Sequence, residues 1–407
     1  MNTMTIFLLL AWTLVVSGFS QSQPFITKKI LFSLVKKIDR PRKRNWWWTR
    51  QRKLETKILD FSYDFDQMQV GKSKTKNATG VVLVHPIGVG IGKWYYNRLL
   101  TELSGTNIET PKSLIIVVPD LLGSGTACNP TEDKIELTSR LPLLNMTDWT
   151  DQIVHIMSDV EKCHPEIANW AVVANGGCSP IALQVGQRSI EGSCYPAKKN
   201  VTNIILSSLP SLPFFLSSSD PVAVAKSYNI LCGMAGRIFW WYSCRKNGRF
   251  IQKFSEKNLV ADPKTLGKSW RRNCVLLAKM YRGKSRYSTF AFLSGNLQDG
   301  CQKSLAVLKK SGIIIGIIKG RDTRKNRAKS WFWKRPKKQK NNSDIKIDQG
   351  NKTLKVPVPR QTFRDFAERN GNGGREIVIG GRISLAHEDA PGYANALIDL
   401  LQDAHVP

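Results

Sequence analysis

The sequence predicts an α/β protein: a doubly wound, mostly parallel sheet with a helical cap inserted between two of its strands. Three observations carry this prediction. The runs Val81–Val84 and Leu114–Val118 are unbroken, apolar and largely β-branched, as strands are when helices cover both faces of a parallel sheet. Both empty into glycine-rich turns, His85-Pro86-Ile87-Gly88-Val89-Gly90-Ile91-Gly92 and Pro119-Asp120-Leu121-Leu122-Gly123-Ser124-Gly125, with helical stretches between the strands. That alternation places a site at the carboxyl edge of the sheet. From Pro210 to Gly300 the alternation stops, and aromatic residues such as Phe239, Trp240, Phe250, Phe254 and Trp270 recur mainly at helical spacing, the mark of a helical insertion.

A chain of 407 residues has room for one large α/β domain with an insertion or for two smaller domains, and 42% hydrophobic residues is ordinary for a globular core. The formal net charge of +30 is uneven: residues 1–53 hold eleven Lys and Arg against Asp39 alone, and residues 319–340 hold eleven against Asp322 alone. These two segments carry most of the excess, so charge by itself does not favour a nucleic-acid partner. The eight cysteines include no Cys-x-x-Cys pair, which suggests neither a zinc site nor a thioredoxin-like motif. No metal and no organic cofactor is expected, and the thiols read as buried and free. Sequons at Asn77, Asn145, Asn200, Asn341 and Asn351 would accept sugars only in the secretory pathway.

Residues 1–18 read as a cleaved signal peptide, because the apolar run Ile6–Val16 is too short to span a bilayer and small residues follow it. Residues 19–56 are rich in Lys and Arg, nearly free of acid and interrupted by Trp46-Trp47-Trp48, which fits a transit-type leader. The rival is an amphipathic anchor at Phe25–Ile38 lying on anionic lipid. Val16-Ser17-Gly18-Phe19-Ser20-Gln21 resembles the cleavage context of bipartite presequences in algae with complex plastids. This implies plastid delivery by signal and transit peptide, with the secretory pathway or endoplasmic reticulum as the alternative. The core is expected over 57–209 and 301–407, opening with an edge strand or hairpin, and the cap over 210–300. Residues 324–352, basic and carrying Trp331-Phe332-Trp333, fit a flexible surface insertion, with membrane-surface contact through the basic segments as a further reading.

The stretch around which the chain is organised is Asn169–Gly186. Ala171-Val172-Val173 reads as a buried strand, Asn175-Gly176-Gly177 as a tight turn, and Pro180–Leu183 as the start of a helix, where the missing N–H of proline does no harm. A strand turning abruptly into a helix is the setting in which some enzymes hold a nucleophile on a strained bend. Counting back from Ala182-Leu183, the helix face that packs on the sheet, puts the bend at Gly176, which has no side chain to attack with. A competing register makes Cys178 or Ser179 the nucleophile, but sets Pro180 where close helix–strand approach favours glycine.

Together these pieces resemble the α/β-hydrolase fold over nearly all of residues 57–405 apart from the basic insertion. His85-Pro86-Ile87-Gly88 is similar to the oxyanion loop after the third strand and Asp120–Gly125 to the Asp-x-x-Gly-x-Gly turn after the fourth. The wording HPIGVG, PDLLGSG and NGGCSPIAL resembles a branch found in cyanobacteria and plastid-bearing eukaryotes. The resemblance implies Asp322 as the acid, His387 as the general base, and the backbone N–H groups of Ile87 and Gly177 as an oxyanion hole; Asp220 is a second candidate acid. It implies a protein that acts on or binds a small-molecule ligand of hydrophobic ester or carbonyl type without a covalent serine intermediate. One alternative is an active ester or thioester hydrolase using Cys178 or Ser179. The other is a non-catalytic scaffold with a basic RNA- or membrane-contacting loop.

Overall fold

The computed structural model describes residues 48–55, 60–71, 77–105, 113–128, 143–192, 196–209, 220–246, 248–280, 285–295, 301–321 and 374–402. The expected signal peptide, most of the expected leader, the acid Asp322 and the basic insertion 324–352 lie outside the described residues.

Eight strands form one sheet in the order β1-β2-β4-β3-β5-β6-β7-β8. β1 (Trp48–Glu55) and β2 (Asp60–Val70) make an antiparallel hairpin, and β2 also runs antiparallel to β4 (Ser113–Pro119). β3 (Ala78–Val84) lies parallel between β4 and β5 (Ile167–Asn175), and β6 (Val201–Ser207), β7 (Ile314–Gly320) and β8 (Glu376–Ile379) extend the parallel part. Every residue of β3 and β4 is buried, which is why their sequences show no alternation. The sheet starts earlier than the core boundary expected at residue 57. β1 falls inside the stretch read as leader, where its backbone covers the otherwise open edge of β2.

The core helices alternate with the strands. α1 (Asn97–Gly105) follows β3, α2 (Met146–Cys163) follows β4 and α3 (Ser179–Glu191) follows β5. Asn145 starts α2 with a capping box: its side chain accepts the Asp148 N–H at 3.0 Å, while the Asp148 carboxylate accepts the Asn145 N–H at 2.8 Å. Between β6 and β7, among the described residues, the cap contains the α-helices α4 (Pro221–Cys232), α5 (Met234–Phe239), α6 (Arg249–Asn258), α7 (Gly267–Lys279) and α8 (Arg286–Leu293). The next helix, α9 (Cys301–Leu308), packs on α3 with α2. A short α10 (Leu385–Glu388) leads into the closing α11 (Ala390–Gln402), which packs on α1.

Candidate functional site

β5 ends at Asn175, and a single tight turn, Gly176–Cys178, leads straight into α3. Gly176 has φ +58°, a left-handed conformation in which a residue with a side chain is strained. A Cβ placed on it would meet only the Ser208 carbonyl oxygen, at 3.8 Å, so there is room at the bend for more than glycine. Gly177 is different, because a Cβ there would overlap the ring of Phe292. Phe292 belongs to α8, and cap and elbow therefore touch at this point.

α8 is pinned to the turns that follow β3 and β4. Ser288 Oγ lies 2.7 Å from the Gly123 carbonyl and 3.1 Å from Ser124 Oγ, and Thr289 Oγ1 donates to the Gly88 carbonyl at 3.2 Å. Those two turns are joined by a buried histidine. His85 Nε2 accepts the Leu121 N–H at 3.0 Å, so its proton sits on Nδ1, 3.0 Å from the Pro86 carbonyl. Burial lowers the pKa of His85 despite the nearby Asp120. Asp120 Oδ1 in turn accepts the Lys93 N–H at 2.7 Å, so both residues act as connectors of the two loops.

The rival nucleophiles have structural partners. Cys178 is buried, its Sγ accepts the Ile87 N–H at 3.3 Å, and burial pushes its thiol up to about 12. The acidic thiol that a helix start would favour is thereby lost, and one donor of the expected oxyanion hole is engaged by sulfur. Ser179 Oγ donates to the Gly176 carbonyl at 2.8 Å and closes the turn. Cys163 is exposed, whereas Cys178, Cys232, Cys244, Cys274 and Cys301 are buried. Iodoacetamide is therefore expected to modify Cys163 first among the described cysteines and to spare Cys178 until the chain unfolds. Timed labelling followed by peptide mass spectrometry checks this, and prompt modification of Cys178 would restore it as a nucleophile.

Beside the bend lies a buried polar network that sequence reasoning missed. Asn175 Nδ2 donates to Tyr95 OH and to Ser207 Oγ, each at 3.1 Å, and Tyr393 OH lies 3.0 Å from Ser207 Oγ. The Ser384 side chain faces the same Tyr95 phenol, and burial raises the pKa of both tyrosines. The network is neutral throughout. Asn175, just before the bend, and Ser207, at the end of a strand, were its only sequence signals.

His387 is linked to this network through Trp270, whose ring also meets the Tyr95 ring edge-on, 6.3 Å between centroids. Its ring meets the Trp270 ring of α7 edge-on, 4.8 Å between centroids, and is hydrogen-bonded by the backbone of Leu266 and Thr265, while its carbonyl accepts from Arg98 Nη1 at 2.8 Å. Burial first, then the Arg98 charge, lowers its pKa to about 4, and Nε2 is buried without a hydrogen-bond partner among the described residues. Asp220 caps α4 by accepting the Val222 N–H at 3.0 Å. Glu388 Oε1 accepts the Ala261 N–H at 2.5 Å and Oε2 the Arg382 N–H at 2.8 Å, stitching the cap to the loop after β8. Among the described residues no group of three or more His, Cys, Asp or Glu is placed to hold a metal ion.

No protein-family model matches the chain, and no curated protein matches it in sequence. Solved structures do match. A peroxisomal alpha-beta-hydrolase from Saccharomyces cerevisiae superposes with a TM-score of 0.54 at 12% identity, covering 88% of this chain and 90% of its own. A thermophilic esterase from Thermogutta terrifontis gives 0.51 at 11%, covering 88% and 100%. A probable hydrolytic enzyme from Pseudomonas aeruginosa gives 0.52 at 10%, covering 89% and 95%. At these identities the likeness shows the fold, which is that of the α/β-hydrolases.

Proposed function

From an α/β-hydrolase fold whose bend residue is Gly176, we propose a protein that binds a small hydrophobic ester- or carbonyl-type ligand and forms no covalent serine intermediate. The observation that carries this is the bend: left-handed, open to a side chain, and occupied by a residue that has none. Three further features support it. The Ile87 N–H is engaged by Cys178, the polar groups beside the bend are neutral amide, phenol and hydroxyl, and His387 is held against Trp270. α8 of the cap is held against the turns after β3 and β4 and, through Phe292, against the bend, and small-molecule sites commonly form where two such parts of a fold meet.

Gly176→Ser tests the reading. The variant is expected to fold, at about 1–2 kcal/mol for the left-handed backbone, because its Cβ clears Ser208 O by 3.8 Å. It is expected to stay unlabelled by a fluorophosphonate and inactive on short acyl esters. Hydrophobic esters and ketones should still raise the melting temperature of the wild-type protein. Labelling or ester turnover gained by Gly176→Ser would show an assembled acid–base pair and replace this reading with that of a hydrolase lacking only its nucleophile.

A further inference from the structure

The cap is both cationic and apolar on its outside. Residues 221–293 carry fifteen Lys and Arg against Glu256 and Asp262 alone, which makes the cap a third basic region beside 1–53 and 319–340. Between Pro221 and Ser255 there is no acidic residue at all. The same stretch exposes large apolar side chains: Met234 at 78%, Val222 at 75% and Trp241 at 52% of their full accessibility, with Ile238 and Tyr242 also exposed. α4 explains part of this, since it turns Val224, Tyr228 and Cys232 inward and leaves Val222 and Ile230 outside. Exposed apolar side chains gathered in one segment mark an interaction surface.

Charge and apolar groups are interleaved. Lys246 Nζ sits over the Trp241 ring, 5.3 Å from its centroid. Arg245 Nε is buried without a hydrogen-bond partner among the described residues, and burial first, then the nearby Arg286 charge, disfavours its charged form. A negative group arriving here would relieve that repulsion.

We infer that this face of the cap docks on an anionic lipid bilayer, Met234 and Trp241 entering the headgroup layer while Arg237, Arg245 and Lys246 meet lipid phosphates. A cation beside an interfacial Trp, with unbranched and aliphatic side chains around them, matches the layering of a bilayer surface. A second copy of the chain would bring one basic cap against another. A single nucleic-acid strand would use rings for stacking, and the two most exposed large apolar side chains among the described residues, Met234 and Val222, have none. Among the described residues no helix is long and apolar enough to cross a membrane. The inference stands whether or not the elbow catalyses. It bears on ligand entry all the same, because α4 packs on α8, the helix whose Phe292 covers Gly177.

Co-sedimentation of the full chain with vesicles tests it, using phosphatidylcholine alone and phosphatidylcholine with phosphatidylglycerol in equal parts. The wild-type protein is expected to bind the mixed vesicles. Met234→Ser with Trp241→Ser, and separately Arg237→Glu with Lys246→Glu, are each expected to weaken partition about tenfold or more, with unchanged melting temperature because the replaced side chains are exposed. Undiminished partition of either double variant would overturn the inference and assign any binding to the other basic segments. So would a wild-type protein that ignores mixed vesicles, or one whose cap variants lose binding to single-stranded RNA instead.

Discussion

Alanine at Gly90 is expected to destabilise the protein by about 3 kcal/mol or more and to lower its melting temperature by several degrees. Gly90 has φ +67°, so a Cβ alone costs about 1–2 kcal/mol there. The added methyl would also overlap the Cys274 carbonyl of α7, a main-chain group that has no rotamer to escape into. The loop and α7 must separate, and the consequences spread. The Gly90 carbonyl accepts Trp94 Nε1 at 3.0 Å, Trp94 meets Trp270 edge-on at 5.2 Å, and Trp270 holds His387. Gly105→Ala is the control, since no atom lies within 4 Å of its Cβ. It should leave stability unchanged or raise it by up to about 1 kcal/mol. Thermal scans should therefore show a lowered melting temperature for Gly90→Ala and no lowering for Gly105→Ala. A Gly90→Ala protein that melts like the wild type would mean that α7 does not rest on this loop.

The central strands were legible because burial on both faces leaves an apolar run that few other structures require. Val81–Val84, Leu114–Val118 and Ala171–Val173 do lie adjacent and parallel. β1 was not legible: Thr-Arg-Gln-Arg-Lys within Trp48–Glu55 has the composition of a basic leader, and only the partner strand β2 makes it a strand. The abrupt passage from β5 through Gly176–Cys178 into α3 was readable from the apolar strand and the proline at the helix start. The network of Tyr95, Asn175, Ser207 and Tyr393 was not, because its members come from four separate elements and neutral polar residues obey no spacing rule. The acidity of Cys178 illustrates the same limit. Sequence shows a helix start, which lowers a thiol's pKa, but the burial that raises it further is a tertiary fact. His387 could be placed in sequence order, yet where its ring turns is decided by Trp270, more than a hundred positions away.

Mild acid is expected to destabilise the protein before most of its carboxylates titrate, with His387 as the main cause. Its pKa falls from 6.5 to about 4 in the folded protein, burial contributing most and the Arg98 charge next. Between those values the unfolded chain takes up a proton that the folded one refuses. Stability is therefore intact above about pH 6.5 and is lost progressively as pH falls towards 4, by about 3 kcal/mol in all. His85, buried and also lowered, adds to the loss in the same direction. Urea midpoints followed from neutral pH down to that window check the expectation. His387→Gln should start about 1 kcal/mol less stable, having given up contacts to Trp270 and the Leu266 and Thr265 backbone. It should then lose much less with acid, so that the two curves cross and the variant is the more stable near pH 4. Equal acid sensitivity of both proteins would put the imidazole in solvent and remove the burial on which this rests. The same shift bears on function, because a histidine held neutral so far below neutrality is a weak proton acceptor at working pH. At neutral pH it is an uncharged ring, and binding of the proposed ligand is accordingly expected to be flat with pH across the neutral range, where an unperturbed histidine would titrate.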